Sequence, residues 1–177
     1  MLFRSTDYRE VADRLAKVPG VKLAMPFIEG QALASGPAGA LGALVRGVDR
    51  KDLDGIPLIA RNIKQGSLDD FEAGKGVLIG TRLAANLGVG LGDNVTIVTP
   101  RGNVTPLGVT PRVKSYPVVA IYSVGMTQYD SAFVFMPFPE AQAYFNLDGR
   151  ASAIDLFVAE ADGVGRLHKP EIGRAHV

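Results

Sequence analysis

The sequence predicts an α+β fold with mixed and antiparallel sheets, a few short helices and two subdomains. Short apolar runs of strand length recur along the whole chain, while only two or three segments carry helical periodicity. The stretch 76–100, G-V-L-I-G-T-R-L-A-A-N-L-G-V-G-L-G-D-N-V-T-I-V-T-P, adds a third sign. It reads as a strand, one small helix, a glycine turn closed by Asp93, and a second strand.

Residues 7–18 read as an amphipathic helix. Tyr8, Val11, Ala12, Leu15 and Val18 recur at helical spacing, with Arg9, Glu10, Asp13, Arg14 and Lys17 opposite. Thr6 or Asp7 can cap it, and Pro19-Gly20 stops it. Residues 21–31 follow as a strand, 35–42 as a Gly/Ala/Pro-rich hairpin loop, and 43–48 as a returning strand. Residues 49–55 read as a turn, and 62–71 as polar turn chemistry with Ser67 capping a short helical turn. Residues 77–79 are a strand broken by Gly80. Thr81 is read as the cap of a helix over 82–87, whose apolar face is Leu83, Ala84 and Leu87. Gly88, Gly90 and Gly92 are turn positions before a strand at 95–98. Residues 100–117 read as a long polar loop with four prolines. Strands at 118–124 and 132–136, a short helix at 139–145 and a final strand at 154–158 complete the chain.

Composition excludes several classes. Apolar residues make up 47% and charged residues 21%, which is ordinary globular usage. A formal net charge of +1 and the lack of any Lys/Arg run argue against a nucleic-acid partner. Absence of cysteine removes disulfides, thiolate nucleophiles and Cys-based metal sites, but fits periplasm and cytosol equally. No run of 18 apolar residues exists to span a bilayer, and no signal-peptide pattern is present.

Both ends have an artificial cast. M-L-F-R-S and E-I-G-R-A-H-V can be encoded by strings lying within reverse complements of one another, and both strings resemble a common high-throughput sequencing adapter. The expectation is that residues 1–5 and 171–177 are translated adapter, leaving a natural internal fragment of about 6–170. Basic and acidic residues then balance, and His168 is the one natural histidine.

The motifs that could carry chemistry read as structure. G88-V-G-L-G-D93 has dinucleotide-loop glycines, yet a phosphate cradle needs the order strand, glycines, helix, so that helix N–H groups face the anion. Here the glycines follow the helix, so Gly88 and Gly92 are cap and turn positions with Asp93. Gly80-Thr81 has the right order but one glycine and no lysine. Asp69, Asp70 and Glu72 are neighbours on a solvated turn rather than convergent metal ligands. No G-x-S-x-G elbow accompanies His168. These residues predict no catalytic, metal or cofactor site.

The 100–117 loop is the strongest candidate site, since loops of that length in compact domains are functional or disordered. Its core is Thr105, Pro106, Leu107, Gly108, Val109, Thr110, Pro111 and Arg112. Prolines restrict the backbone before a partner docks. Val104, Leu107 and Val109 could form an apolar tip, with Arg101, Arg112 and Lys114 as a basic collar, which suits a protein contact with an apolar centre and polar rim. An ordinary surface hairpin is the competing reading.

In order, the segments Asp7-Tyr-Arg-Glu, Val45-Arg-Gly-Val-Asp49, Gly66-Ser-Leu, 76–100, Thr105-Pro-x-Gly-x-x-Pro-Arg112, Val124-Gly-Met-x-x-Tyr-Asp130 and 133–144 run through nearly all of the fragment. Together they resemble the periplasmic domain of lipoprotein-releasing ABC transporter permeases, the LolC/LolE family, and more broadly the MacB-type periplasmic core. The resemblance implies a parent with four transmembrane helices on the bacterial inner membrane, with this domain on the periplasmic face between the first two. It implies a cytoplasmic ATPase subunit, a second permease, a lipoprotein substrate and a periplasmic carrier chaperone of the LolA kind. It implies a terminal Porter-like lobe, residues 6–48 plus 151–170, which is truncated here, and a central Sabre-like lobe, 49–150. It also implies that the 100–117 segment is a β-hairpin hook that recruits the chaperone, with Thr105 to Pro111 as its tip and Arg112 nearby. The alternatives are a MacB-type efflux permease, which needs no hook, and a small soluble α+β ligand-binding module, which would need a convergent polar pocket.

Overall fold

The computed structural model describes residues 7–105 and 108–158. The expected tails 1–5 and 171–177, Thr6, Pro106, Leu107, His168 and the 159–170 part of the terminal lobe lie outside the described residues.

Fifteen elements follow one another: α1 (Asp7–Ala16), β1 (Val21–Gly36), β2 (Gly39–Val48), α2 (Arg50–Asp54), α3 (Pro57–Ala60), β3 (Ile63–Gly66), α4 (Leu68–Glu72), β4 (Val77–Gly80), α5 (Thr81–Leu87), β5 (Asn94–Thr105), β6 (Gly108–Tyr122), α6 (Thr127–Ala132), β7 (Phe133–Pro137), α7 (Phe138–Tyr144) and β8 (Ala153–Val158). The α+β class is as the sequence predicts.

The pairings return to their starting point. β1 pairs with β2, β2 with β7, β7 with β4, β4 with β6, β6 with β5, and β5 again with β1. Six strands thus form a closed ring, which leaves few free edges among them. Two pairings are parallel, β2 with β7 and β4 with β6. The first half of β1 leaves the ring and pairs with β8, Val21 opposite Val158 and Phe27 opposite Ala153.

Alternation along the strands builds two cores. In β4, Val77 and Ile79 join a cluster with Val45, Leu83, Leu87, Ile97 and Tyr144, whereas Leu78 joins Leu53, Phe71, Tyr122 and Phe135 on the opposite face. α5 and α7 supply the first cluster, while α2, α3 and α4 cover the second.

Several elements differ from expectation. The loop expected at 35–42 shrinks to the two-residue turn Pro37-Ala38, because Gly36 already pairs with Gly39. The turn expected at 49–55 is the helix α2, buried through Leu53. Ser67 does accept from the Asp69 N–H at 3.1 Å as a cap, but the polar segment before it pairs with β6 as β3. Thr81 is not the cap of α5. Gly80 holds that position, and the Thr81 hydroxyl instead donates to the Tyr122 carbonyl at 2.8 Å, joining β4 to its parallel neighbour. The glycine turn is built from left-handed Gly88 at φ 68° and Gly92 at φ 85°, where a side chain would be strained. Asp93 closes it by accepting from the Gly90 N–H at 2.8 Å.

Candidate functional site

The segment 100–117 is not a loop but part of a long antiparallel hairpin, β5 with β6. Its ladder runs from Asn94 opposite Pro117 to Thr105 opposite Gly108. Within the body of the fold β5 is held by β1 only at residues 96–98, and β6 by β4 and β3 only from residue 118 onward. Between these limits and the turn, the two strands pair only with each other among the described pairings. The hairpin therefore outlasts its sheet and forms an arm.

A register shift divides the arm. Thr99 faces Arg112, but Asn103 faces Thr110, so β5 spends four steps where β6 spends two. This bulge lies at 100–102, with Pro111 opposite it. Bulges bend a strand and re-aim what lies beyond, and they tolerate proline because the ladder is already interrupted there.

The candidate residues fall on both parts. Thr105 ends β5, and Gly108 and Val109 begin β6; Thr110 and Pro111 are exposed and Arg112 is half-buried. Pro111 lines a shallow groove of about 400 Å³ with Gln31, Ala32, Leu33 and Val98. Leu33, Val98 and Val113 stand opposite one another across three strands, and Leu33 and Val113 are 43% and 62% exposed, so the groove continues as an apolar surface row.

Of the expected collar, Arg101 has its side chain outside the described ones, Arg112 is half-buried, and Lys114 stays 53% exposed beside Glu140. With Tyr116, Arg112 and Lys114 occupy alternate positions of β6, and all three turn onto α7. The Arg112 guanidinium donates to the Ala143 carbonyl at 2.6 Å, to the Tyr144 carbonyl, and to Asn146 Oδ1 at 2.8 Å. Lys114 Nζ and the Tyr116 hydroxyl both reach Glu140 Oε1 at 2.7 Å. The Tyr144 hydroxyl lies 2.8 Å from the Ile97 carbonyl on β5 and 3.3 Å from the Arg112 carbonyl on β6. The sequence reading missed Glu140, Tyr144 and Asn146. The signal was the period of two in Arg112, Lys114 and Tyr116, which marks one face of a strand.

Burial raises the Tyr144 hydroxyl to about 12, with nearby Arg112 pulling the other way. Burial, then Glu140, raises Tyr116, and burial, then Asp130, raises Tyr122. Unfolded tyrosines titrate near pH 10, so above that pH the unfolded chain loses protons that the native chain retains. These tyrosines leave stability unchanged below about pH 10 and erode it as pH rises toward their native values. Urea midpoints should be flat from about pH 8 to 9.5 and fall by pH 11, and Tyr122→Phe should soften the fall. A midpoint independent of pH up to about 11 would contradict this.

Elsewhere, Asp70 is paired with Lys75 at 2.8 Å. Among the described residues no group of three or more His, Cys, Asp or Glu side chains could hold a metal ion.

The described residues thus form a closed mixed-strand body with short helices and a protruding hairpin bonded to α7. A family model described as the MacB-like periplasmic core domain matches residues 2–165, and the chain belongs to that family. It is 28% identical over 156 residues to the lipoprotein-releasing system transmembrane protein LolC of Neisseria meningitidis serogroup B, covering 88% of this chain and 38% of that protein. The LolC of Xylella fastidiosa is 32% identical over 74% of this chain and 32% of its own length. The chain thus spans about a third of the curated relatives it matches. Among solved structures, the extracellular domain of the ABC-type transporter YknZ from Gram-positive bacteria superposes with a TM-score of 0.61 at 17% identity, covering 91% of this chain and 75% of that one. The periplasmic region of MacB from Actinobacillus actinomycetemcomitans gives 0.56 at 13% identity, covering 88% and 66%. Both likenesses show the fold.

Proposed function

We propose that this chain is the periplasmic docking domain of an inner-membrane ABC transporter permease of the lipoprotein-releasing kind. The 105–112 end of its hairpin receives a carrier chaperone, and the lipoprotein substrate passes from the membrane to that carrier. The observation that carries this reading is the arm: β5 and β6 continue together past every other strand that holds them. A ring-closed scaffold does not need such an extension for stability, since an isolated two-stranded ribbon is marginal in water. The sequence similarity to LolC proteins over most of the chain supports the choice of substrate class.

The domain is non-enzymatic in this reading. ATP hydrolysis belongs to a cytoplasmic subunit, reached with a second permease through membrane segments outside this chain. The division into a terminal lobe, 6–48 plus 151–170, and a central lobe, 49–150, belongs to the same proposal, with residues 28–48 shared with the ring through β5 and β7. Pairing of residues 21–27 with β8 supports it by bringing the first and last described strands together.

The test is capture of the cognate carrier chaperone. Leu107→Asp places a charge at the tip and Pro111→Ala frees the backbone opposite the bulge. Each should weaken binding by about tenfold or more without changing the urea midpoint. Equal affinity for wild type and both variants, or no binding by wild type, would remove the hand-off reading.

A further inference from the structure

We infer that α7 is a strap that sets the direction of the β5–β6 arm, with Arg112 and Tyr144 as its positioning residues. The role of the arm rests on the docking reading above; the strap does not depend on which partner the tip meets.

A two-stranded ribbon twists and bends easily about its base. Among the described residues no third strand pairs with β5 beyond residue 98 or with β6 before residue 118. What restrains the ribbon is α7, at the level of the last regular rung before the bulge. The planar Arg112 fork holds three acceptors at the carboxyl end of α7, where the final carbonyls lack helical partners and carry partial negative charge. Tyr144 answers from the helix side with one hydroxyl placed against a carbonyl of each strand. Glu140, one turn earlier, holds Lys114 and Tyr116. Both strands of the arm are thereby referred to one short helix.

That helix is itself seated on the ring through two glycines. A Cβ at Gly47 on β2 would collide with the Ala141 side chain, and one at Gly30 on β1 would collide with the ring of Phe145. Absence of those side chains lets α7 lie directly on the β1–β2 wall. The path from wall to helix to arm is continuous and close-packed, so a tilt of β1 and β2 is carried to the arm base instead of being lost at a soft joint. A preset arm also loses less conformational freedom when a partner binds its tip.

The chain has no cysteine, so a pair introduced at Val109 and Arg61 takes spin labels without further changes. Dipolar spectroscopy on the labelled 177-residue chain reads the arm-to-body distance distribution. With Arg112 and Tyr144 intact it should be narrow. Arg112→Ala should broaden it about twofold, Tyr144→Phe should broaden it less, and Arg112→Lys should restore only part of the sharpness, because an ammonium cannot reproduce the fork. If Arg112→Ala lowers the urea midpoint while the distribution keeps its width and centre, Arg112 is only a stabilising contact and the strap is wrong. If that variant fails to fold, Tyr144→Phe decides: it removes a single hydroxyl, and an unchanged distribution overturns the inference.

Carrier capture by the unlabelled proteins separates the two proposals. Broadening by Arg112→Ala with no capture even by wild type sinks the docking reading and leaves the strap standing. Capture by wild type with an unchanged distribution in both variants does the reverse. If both hold, Arg112→Ala should raise the carrier Kd by about tenfold, mainly by slowing association of a tip that is no longer aimed.

Discussion

Replacing Arg46 with methionine should cost about 3 kcal/mol of folding stability, far more than an exposed ion pair is worth. Arg46 and Glu29 are cross-strand partners in β2 and β1, and Arg46 Nε lies 3.2 Å from Glu29 Oε2. Its NH1 reaches Asp155 Oδ2 on β8 at 3.1 Å. The three side chains retain only 13%, 18% and 9% of their exposure, so solvent screens them little. The guanidinium also lies over the ring of Phe27, 4.3 Å from its centroid. Methionine removes the cation that both carboxylates share and leaves two like charges in a half-dry site. Urea denaturation measures the loss. Adding Glu29→Gln and Asp155→Asn should recover most of it, because the uncompensated charges go as well. A loss below about 1 kcal/mol, or no recovery, would mean that solvent reaches the cluster and that the pairs are of the exposed kind.

This cluster has a structural consequence beyond its energy. β8 is joined to the rest of the fold along the first half of β1, the half that has left the ring. Arg46 is a side-chain link from the ring strand β2 to β8. The same strand wall therefore meets β8 through Arg46 and α7 through Gly47, at adjacent residues with opposite-facing side positions.

Much of this was legible in the chain, and the parts that were not share a physical cause. The helix at residue 7, the strand-helix-turn-strand order of 76–100 and the last strand all appear because their patterns are local. The arm reads as a loop in sequence because four prolines and two glycines within 100–117 erase the usual strand signal. Its strand character comes from cross-strand pairing, which a linear pattern does not display. Thr81 stood where a cap belongs, yet its hydroxyl went to Tyr122, a neighbour only through the parallel pairing of β4 with β6. α6 is six residues, under two helical turns, and what organises it is Asp130. That buried carboxylate accepts from the Val124 N–H at 2.8 Å and the Gly125 N–H at 3.0 Å, tying the preceding turn to the helix. In the candidate site, composition revealed the prolines and the basic residues but not their directions. By composition Arg112 and Lys114 are free for a partner, whereas in the fold both bond to α7.

The glycines of the 76–100 signature should separate into three costs, which chemistry alone would not distinguish. At Gly80 the backbone is ordinary, at φ −72°, but a Cβ would press into the main chain of α6, 2.6 Å from the Asp130 carbonyl carbon and closer still to its oxygen. Backbone cannot rotate aside as a side chain can, and Asp130 is pinned by its own hydrogen bonds. Gly80→Ala should therefore cost about 3 kcal/mol, the upper end of overpacking losses. At Gly92 the space is open, with no atom within 4 Å, and only the left-handed φ of 85° opposes a side chain. Gly92→Ala should cost about 1 kcal/mol. At Gly90 neither obstacle exists; the nearest atom is Asp93 Oδ2 at 3.6 Å, an ordinary contact. Gly90→Ala should fall within about 0.5 kcal/mol of wild type, helped by the smaller entropy of its unfolded chain. Urea midpoints of the three variants give the order directly. An equal loss at Gly90 and Gly80 would show that the turn, rather than the contact of α6 with the end of β4, sets the requirement for glycine here.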